Sequence, residues 1–336
     1  HEDKYYNSKL EVRAREFNHI TIDKNRGILK KTSDDKDKFI GEIKWYLKLP
    51  ADVEYVRPRI FDYSTSYVNP YVSMEYYAYH TVHELFLYGD LTLQQWIDIF
   101  NRIRFVCDDF KRYTVQDAGI RPALEEMYLT KTLQRFEKMK KDERFVTFFE
   151  SPIVVNGKRY LPLNEIIIVL EKAIPEMLYD VDTFNIIHGD LCFANIMVDS
   201  NFSFIKVIDP RGKFGIYDIY GDFRYELAKL FHSVDGKYDF IIKDLFDLDY
   251  NSEEAYINYR IQDRKREFDL YKVFLSTFAT EIDSDLKKIE LIEALLFLSM
   301  IPLHGESIRH QMVMLGTGLE ILNRVIDIQI GEKKNV

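Results

Sequence analysis

The segment Ile186-Ile187-His188-Gly189-Asp190-Leu191-Cys192-Phe193-Ala194-Asn195-Ile196 constrains this chain more than any other. An apolar strand runs into a short polar loop and then into a second strand, Ile196 to Val198. A third strand, Phe204 to Ile208, ends on Asp209. Strands this close in sequence pair as a hairpin, which brings Asn195 and Asp209 to the same end of the pair. An amide oxygen beside a carboxylate is a set of hard ligands of the kind Mg²⁺ takes, with waters and phosphate oxygens completing the octahedron. Asp190, five residues before Asn195, puts a further carboxylate within reach of a substrate hydroxyl. Metal ligands plus a residue that orients a nucleophile are the parts that phosphoryl transfer requires. Taken singly, each is an ordinary turn residue. The specific signal is the whole pattern: His-x-Asp, four residues, Asn, strand, turn, strand, Asp.

The rest of the chain can bury a large core. Of 336 residues, 46% are hydrophobic and 15% aromatic, which excludes disorder as the default and fits one large domain or two lobes. The 46 basic and 55 acidic residues leave a net charge of −9, which argues against nucleic-acid binding driven by charge. Two cysteines, Cys107 and Cys192, allow neither a disulfide framework nor a four-cysteine zinc site. The most apolar stretch, Leu291 to Leu303, contains Glu293 and falls well short of the ~20 residues that span a bilayer. No membrane insertion is expected. The charged start His1-Glu2-Asp3-Lys4 carries no apolar leader, so a soluble, cytoplasmic protein is the simplest expectation. A start without Met fits an expression scar or a fragment of a longer chain.

Periodicity divides the chain in two. Ser8 to Asn18, His19 to Asp23 and Ile28 to Thr32 read as strands, with a turn at Asp23-Lys24-Asn25-Arg26-Gly27. Asp34 to Leu47 carries Phe39, Ile43 and Leu47 at helical spacing, and Arg59 to Tyr63 and Tyr71 to Tyr77 return to strand. Thr92 to Tyr113, Arg121 to Lys140 and Leu163 to Tyr179 read as helices. Asn156-Gly157 marks a hairpin between them. Everything from Phe223 onward reads as helix. Glu84 to Leu91 reads as the link between lobes 1–83 and 92–336, the second of which contains the 186–212 loop region. The class is α+β.

His188-Gly-Asp-Leu-Cys-Phe-Ala-Asn195 with Ile208-Asp209 resembles the aminoglycoside phosphotransferase and choline kinase superfamily. Tyr220-Gly-Asp-Phe-Arg-Tyr-Glu-Leu-Ala-Lys-Leu230 looks like that family's Gly-Asp…Tyr-Asp-Leu-Ala segment, with Glu226 in place of its second Asp. The resemblance implies a protein-kinase-like two-lobe fold, with a small antiparallel-sheet N-terminal lobe and a larger, mainly helical C-terminal lobe. It also implies an ATP- (or GTP-) and Mg²⁺-dependent kinase whose partner is a small-molecule hydroxyl substrate. Asp190 is then the catalytic residue, and Asn195 and Asp209 the metal ligands. His188 braces the loop, and Asp222 caps the next helix and supports the loop from below. A strand lysine pairs the nucleotide phosphates and is held by a helix glutamate. The candidates are Lys30 and Lys31, with Glu42 as partner. Strand alternation lets only one enter the cleft, and Lys31 is preferred because it shares a face with Leu29, which would cover the adenine. Met74-Glu75-Tyr76-Tyr77 falls at the hinge, making Glu75 and Tyr77 nucleotide-binding candidates. No Gly-rich loop precedes Lys31, so Arg15-Glu16-Phe17-Asn18 would form the covering turn, through Asn18 and backbone N–H groups. Asp209-Pro-Arg-Gly212 and Ile301-Pro-Leu-His304 look most like bacterial members associated with capsule and surface-polysaccharide biosynthesis. Arg211, two residues after the metal ligand, is a candidate contact for a phosphate or an anionic substrate, and His304 is a further substrate candidate.

His304 and His310 show no spacing with a carboxylate that reads as a metal site, so zinc is not expected. The choice of acceptor stays open between sugars, amino alcohols and related metabolites. An aminoglycoside acceptor would need a strongly acidic groove, and Glu125, Glu126 and Asp263 form no dense cluster. The rival reading is a catalytically weak nucleotide-binding scaffold, or a kinase domain once fused to a nucleotidyltransferase. Oligomeric state is not legible.

Overall fold

In the computed structural model, which describes residues 18–331, the chain begins with an antiparallel sheet and a single helix. The strand expected over Ser8 to Asn18 and the Arg15 to Phe17 part of the covering turn lie outside the described residues. β1 (Asn18–Asp23) and β2 (Ile28–Ser33) pair across the Asp23–Gly27 turn, and α1 (Lys36–Lys48) follows. β3 (Ile60–Ser64) and β4 (Tyr71–Glu75) complete the order β1-β2-β4-β3. Asp35 caps α1 by accepting from the Lys38 N–H, and Phe39, Glu42, Ile43 and Tyr46 share its buried face.

α1 is tied to the second half of the molecule as firmly as to its own sheet. The Trp45 indole N–H donates to the Ile187 carbonyl at 2.7 Å, and the ring meets His188 edge-on at 5.4 Å. Gly41 lies directly against Gly212, whose φ is +65°. A Cβ on Gly212 would sit 2.1 Å from the Gly41 carbonyl oxygen, so a glycine is required at 212 where these backbones touch.

The crossing between lobes is short. β5 (His80–Thr81) already pairs with β10 (Ile196–Val198), so it belongs to the second lobe, and residues 76–79 make the passage. Glu84 to Leu91 is therefore not the link. Most of it is α2 (Val82–Tyr88), started by a capping box in which Thr81 and Glu84 satisfy each other's backbone N–H groups. The lobe boundary moves forward accordingly, from residues 83/84 to 76–79.

α3 (Leu93–Lys111) carries the expected apolar stripe, buried through Trp96, Phe100, Ile103 and Phe110. α4 (Ile120–Leu124) and α5 (Lys131–Lys140) are one helix interrupted by a π-type turn at Glu125–Thr130. Such a turn rotates the downstream face relative to a regular helix. β7 (Ile153–Val155) and β8 (Lys158–Tyr160) form the Asn-Gly hairpin, with φ of +49° and +80° at its two turn residues, the signs a type I′ turn needs. α6 (Leu163–Leu178) leads to β9 (Phe184–Ile186), which lies between β6 (Thr114–Val115) and β12 (Tyr220–Gly221). β10 pairs with β11 (Ile205–Val207) as the motif requires.

The region after Phe223 departs from expectation. α7 (Phe223–Val234) is helical and buried at every position, but β13 (Phe246–Asn251) and β14 (Tyr256–Ile261) form a hairpin. β14 joins β7 in parallel, making a four-stranded sheet β13-β14-β7-β8 in the helical lobe. The strict alternation Phe-Asp-Leu-Asp-Tyr-Asn is a strand pattern, and its dense charges mark the solvent face of a half-buried sheet. α8 (Leu270–Thr277), α9 (Leu286–Met300) and α10 (Ile308–Val325) close the core, with α9 packed between α7 and α10. Among the described residues, no helix is long and apolar enough to cross a membrane.

Candidate active site

β2 presents its two lysines to opposite sides. Lys30 is exposed and sits over the Tyr71 ring at 4.4 Å. Lys31 is only 3% exposed, and its ammonium lies 2.8 Å from both carboxylate oxygens of Glu42 and 2.8 Å from Oδ1 of Asp209. Burial works against this ammonium, but Asp209 and Glu42 outweigh it and raise its pKa. Glu42 is pushed up to about 7 by burial and by the Asp209 charge, with Lys31 opposing. The trio carries one carboxylate more than it has cations. The Asp209 side chain is half-exposed, with its backbone held at φ +56° and its N–H donated to the Tyr46 hydroxyl.

The loop between β9 and β10 is fixed by its own residues and by α7. His188 is fully buried. It accepts from the Asp190 N–H at Nδ1 and donates from Nε2 to the Ile208 carbonyl at 2.9 Å, which sets its tautomer. Burial pushes its pKa down to about 4, so it is a neutral brace. Asn195 donates from Nδ2 to the Asp190 carbonyl at 2.8 Å, turning its Oδ1 the other way. Its own carbonyl receives the Ile208 N–H, which places it beside Asp209 as the hairpin geometry demands.

α7 carries Glu226, Lys229 and Ser233 at i, i+3 and i+7, one face directed at the loop. The Glu226 carboxylate accepts the His188 N–H at 2.6 Å and the Gly189 N–H at 2.9 Å. The Lys229 ammonium is paired with Asp190 at 2.9 Å. Burial opposes its charge, and the Asp190 carboxylate more than offsets that, raising its pKa. Ser233 accepts from the Phe193 N–H.

Asp222 caps α7 as expected, accepting from the Arg224 N–H. Its carboxylate is otherwise taken by the Arg224 guanidinium and the Tyr128 hydroxyl. Direct support of the loop comes from Glu226, and the role expected of Asp222 is corrected to that of a cap. Glu226 and Lys229 escaped the sequence reading as site residues, although two opposite charges three apart in a helix rich in Phe, Leu and Tyr are a visible trace of a buried polar contact.

The remaining candidates fall into place unevenly. Asn18 opens β1 opposite Ser33. At the hinge, the Glu75 and Tyr76 N–H groups are taken by Arg59 and Gly27 carbonyls, and the Glu75 carboxylate accepts from the Tyr77 hydroxyl. The Arg211 side chain lies against Gly189 and donates to the Tyr225 hydroxyl and the Lys213 carbonyl. His304 contacts Tyr238 and Glu306. The absence of metal-ligand spacing around the late histidines is corrected as well: the turn into α10 brings ligand atoms of His304, Glu306 and His310 within 4.8 Å of one another.

No protein-family model matches the sequence, and no curated protein matches it. Solved structures do. The chain is similar to the apo form of a thermostable mutant of aminoglycoside phosphotransferase APH(4)-Ia, with a TM-score of 0.55, 11% identity and 93% of each chain covered. It is similar to APH(2")-IIa in its ternary complex with streptomycin and ATP, with a TM-score of 0.52 and 14% identity over 96% of this chain and 97% of that one. A third match is a putative aminoglycoside phosphotransferase from Ralstonia eutropha JMP134, with a TM-score of 0.50 and 11% identity over 96% of this chain and 97% of the other. The fold is thus that of the aminoglycoside phosphotransferases, a kinase-like fold.

Proposed function

We propose that this chain is a small-molecule kinase that moves the γ-phosphate of ATP or GTP to a hydroxyl of its acceptor. The observation that carries the reading is the Lys31 ammonium, buried between Glu42 and Asp209 and set against a loop that offers Asp190. A scaffold has no use for that arrangement, since burying the Lys31–Glu42 pair against a further carboxylate is costly unless the geometry serves a ligand. Nucleotide phosphates would enter beside Lys31, which supplies positive charge at a fixed point. Leu29 and the Glu75–Tyr77 stretch lie where the base would bind, and Asn18 lies at the covering end.

The excess carboxylate of the trio, the half-exposed Asp209 and the turned-out Oδ1 of Asn195 suit a hard divalent cation, so Asn195 and Asp209 would hold Mg²⁺. When bound, it neutralises charge on the β- and γ-phosphates. Asp190 receives the acceptor hydroxyl, orients it for in-line attack and takes its proton. Lys229 holds the carboxylate in place, and Glu226 and His188 fix the backbone that presents it. The acceptor is a sugar, an amino alcohol or a related metabolite, handled in the cytoplasm and destined for a bacterial surface polymer. That last assignment is supported by the likeness of residues 209–212 and 301–304 to members with that role.

The test is ³¹P NMR after incubation with ATP, Mg²⁺ and a metabolite extract. A new phosphomonoester is expected, reduced at least about 10³-fold in Asp190→Asn. ATP binding with no phosphorylated product from any extract would replace this reading with the scaffold.

A further inference from the structure

The wall of the cleft beyond Asp190 is crowded with positive charge in a chain whose net charge is −9. Lys131 and Arg135 are four residues apart on α5, one above the other on the same face. One turn before Lys131, the buried Tyr128 ring lies 6.3 Å from Tyr225 of α7. The Tyr225 ring is also 5.9 Å from the Arg211 guanidinium and 6.0 Å from the Lys229 ammonium. Tyr225 therefore marks one place where the π-type turn that leads into α5, α7 and the segment after Asp209 meet. The charges there are not balanced. Lys229 spends its charge on Asp190, whereas Lys131, Arg135 and Arg211 make no ion pair among the described residues. Lys131 is held low, at about 6, first by burial and then by Arg211, Lys229, Arg135 and Lys38. Arg135 is lowered by burial and by Arg211.

Uncompensated, partly buried cations are costly unless a ligand completes them. Arg211 packs on Gly189, next to the residue that would receive the acceptor hydroxyl. We propose that Lys131, Arg135 and Arg211 form an anion-binding subsite beside Asp190, which takes a phosphate or carboxylate group carried by the acceptor. This rests on the kinase reading and narrows it. The acceptor is an anionic metabolite with a free hydroxyl, such as a sugar phosphate or a sugar acid. A polycationic aminoglycoside is repelled from the same wall. Two guanidinium groups suit phosphate or carboxylate oxygens through paired N–H donors, and the ammonium of Lys131 adds a point charge.

The experiment uses the full chain saturated with AMP-PNP and Mg²⁺, so that nucleotide phosphates are already placed. Binding of glucose 6-phosphate, gluconate, glucose and kanamycin is measured by calorimetry. The phosphate or carboxylate probe is expected to bind at least about tenfold tighter than glucose, and which of the two is tighter names the group. Arg135→Ala should remove that advantage, Arg135→Lys should restore part of it, and AMP-PNP affinity should stay unchanged in both. Lys131→Met serves as a second variant. The proposal is overturned if charged and neutral probes bind alike, if kanamycin binds best, or if Arg135→Ala weakens AMP-PNP as much as the probes. In the last case the cations serve the nucleotide. Turnover with ATP separates the two readings. Arg135-dependent anion binding without any phosphoryl transfer sinks the kinase and leaves the subsite. Transfer to glucose or kanamycin without Arg135 dependence does the reverse.

Discussion

Lys31 and Lys131 face opposite electrostatic surroundings, the first buried between two carboxylates and the second partly buried among four cations. On the nucleotide side, Glu42 and Asp209 raise the Lys31 pKa against burial. On the other side, Arg211, Lys229, Arg135 and Lys38 add to burial and take Lys131 down to about 6. The same side chain is thus a fixed positive charge in one place and a proton acceptor in the other. On the proposed reading the difference follows from what each wall would meet. A trio with surplus negative charge suits a divalent cation, and a group with surplus positive charge suits an anion.

The largest effect should come from breaking the nucleotide side. Lys31→Met leaves Glu42 and Asp209 facing each other without a cation, and turnover should fall by about 10² or more. Lys30→Met removes only an exposed contact with Tyr71 and should stay within about twofold, since strand alternation keeps it out of the cleft. Steady-state kinetics on both variants checks this. Equal losses would mean that the buried trio is structural, and the contrast between the two walls would lose its functional sense.

The loop between the walls sharpens the comparison, because it should depend on neither lysine. Glu226 accepts two backbone N–H groups, and burial pushes its pKa up to about 7. Only the ionised carboxylate accepts both fully. In Glu226→Gln one N–H donor meets the amide NH₂, and the Asp190 backbone shifts. The expected cost is about 10- to 100-fold in kcat with little change in nucleotide affinity. The pH profile gives a second readout. The wild-type acid limb should fall away below about pH 7 and be absent from the Gln variant. Stability moves in the opposite sense. The folded protein keeps this proton above the pH at which the unfolded chain loses it. The Glu226 contribution to stability therefore declines as pH rises from about 4.5 to 7.

How far the sequence reached differs between these regions for a physical reason. Asp190, Asn195 and Asp209 were legible because a hairpin fixes their relation over twenty residues, and Lys31 because a strand has a period of two. Glu226 stood in plain view at the position where the family pattern has Asp, yet its contact with His188 and Gly189 spans 38 and 37 residues and depends on how α7 docks. Lys131 and Arg135 read as a charged helix face. Only the π-type turn at Glu125–Thr130 and the packing of Tyr128 on Tyr225 determine where that face points. The hairpin at 246–261 was missed for a related reason: its charges masked an alternation that the parallel pairing with β7 makes use of.

The smallest effect, and the most direct test of the contrast, concerns stability. The unfolded chain holds the Lys131 proton up to about pH 10.5, whereas the folded protein gives it up above about 6. Between those values the unfolded state binds more protons, so this residue costs stability, and the cost shrinks as pH rises. Lys131→Met keeps the aliphatic length and removes the charge. It should gain about 1 kcal/mol or more at pH 7, about 1–2 °C in Tm for each kcal/mol, and flatten the rise of stability between pH 6 and 9. Lys31→Met should lose stability under the same conditions, because it strands Glu42 and Asp209. An anion in the subsite should cancel the difference. Its charge returns the proton to Lys131, so binding of glucose 6-phosphate at pH 7.5 should be accompanied by proton uptake in the wild type and by none in Lys131→Met. Calorimetry in two buffers of different ionisation enthalpy measures that uptake. Destabilisation by Lys131→Met, or a stability profile as steep as the wild type's, would mean that the ammonium is already compensated, and that the two walls are alike after all.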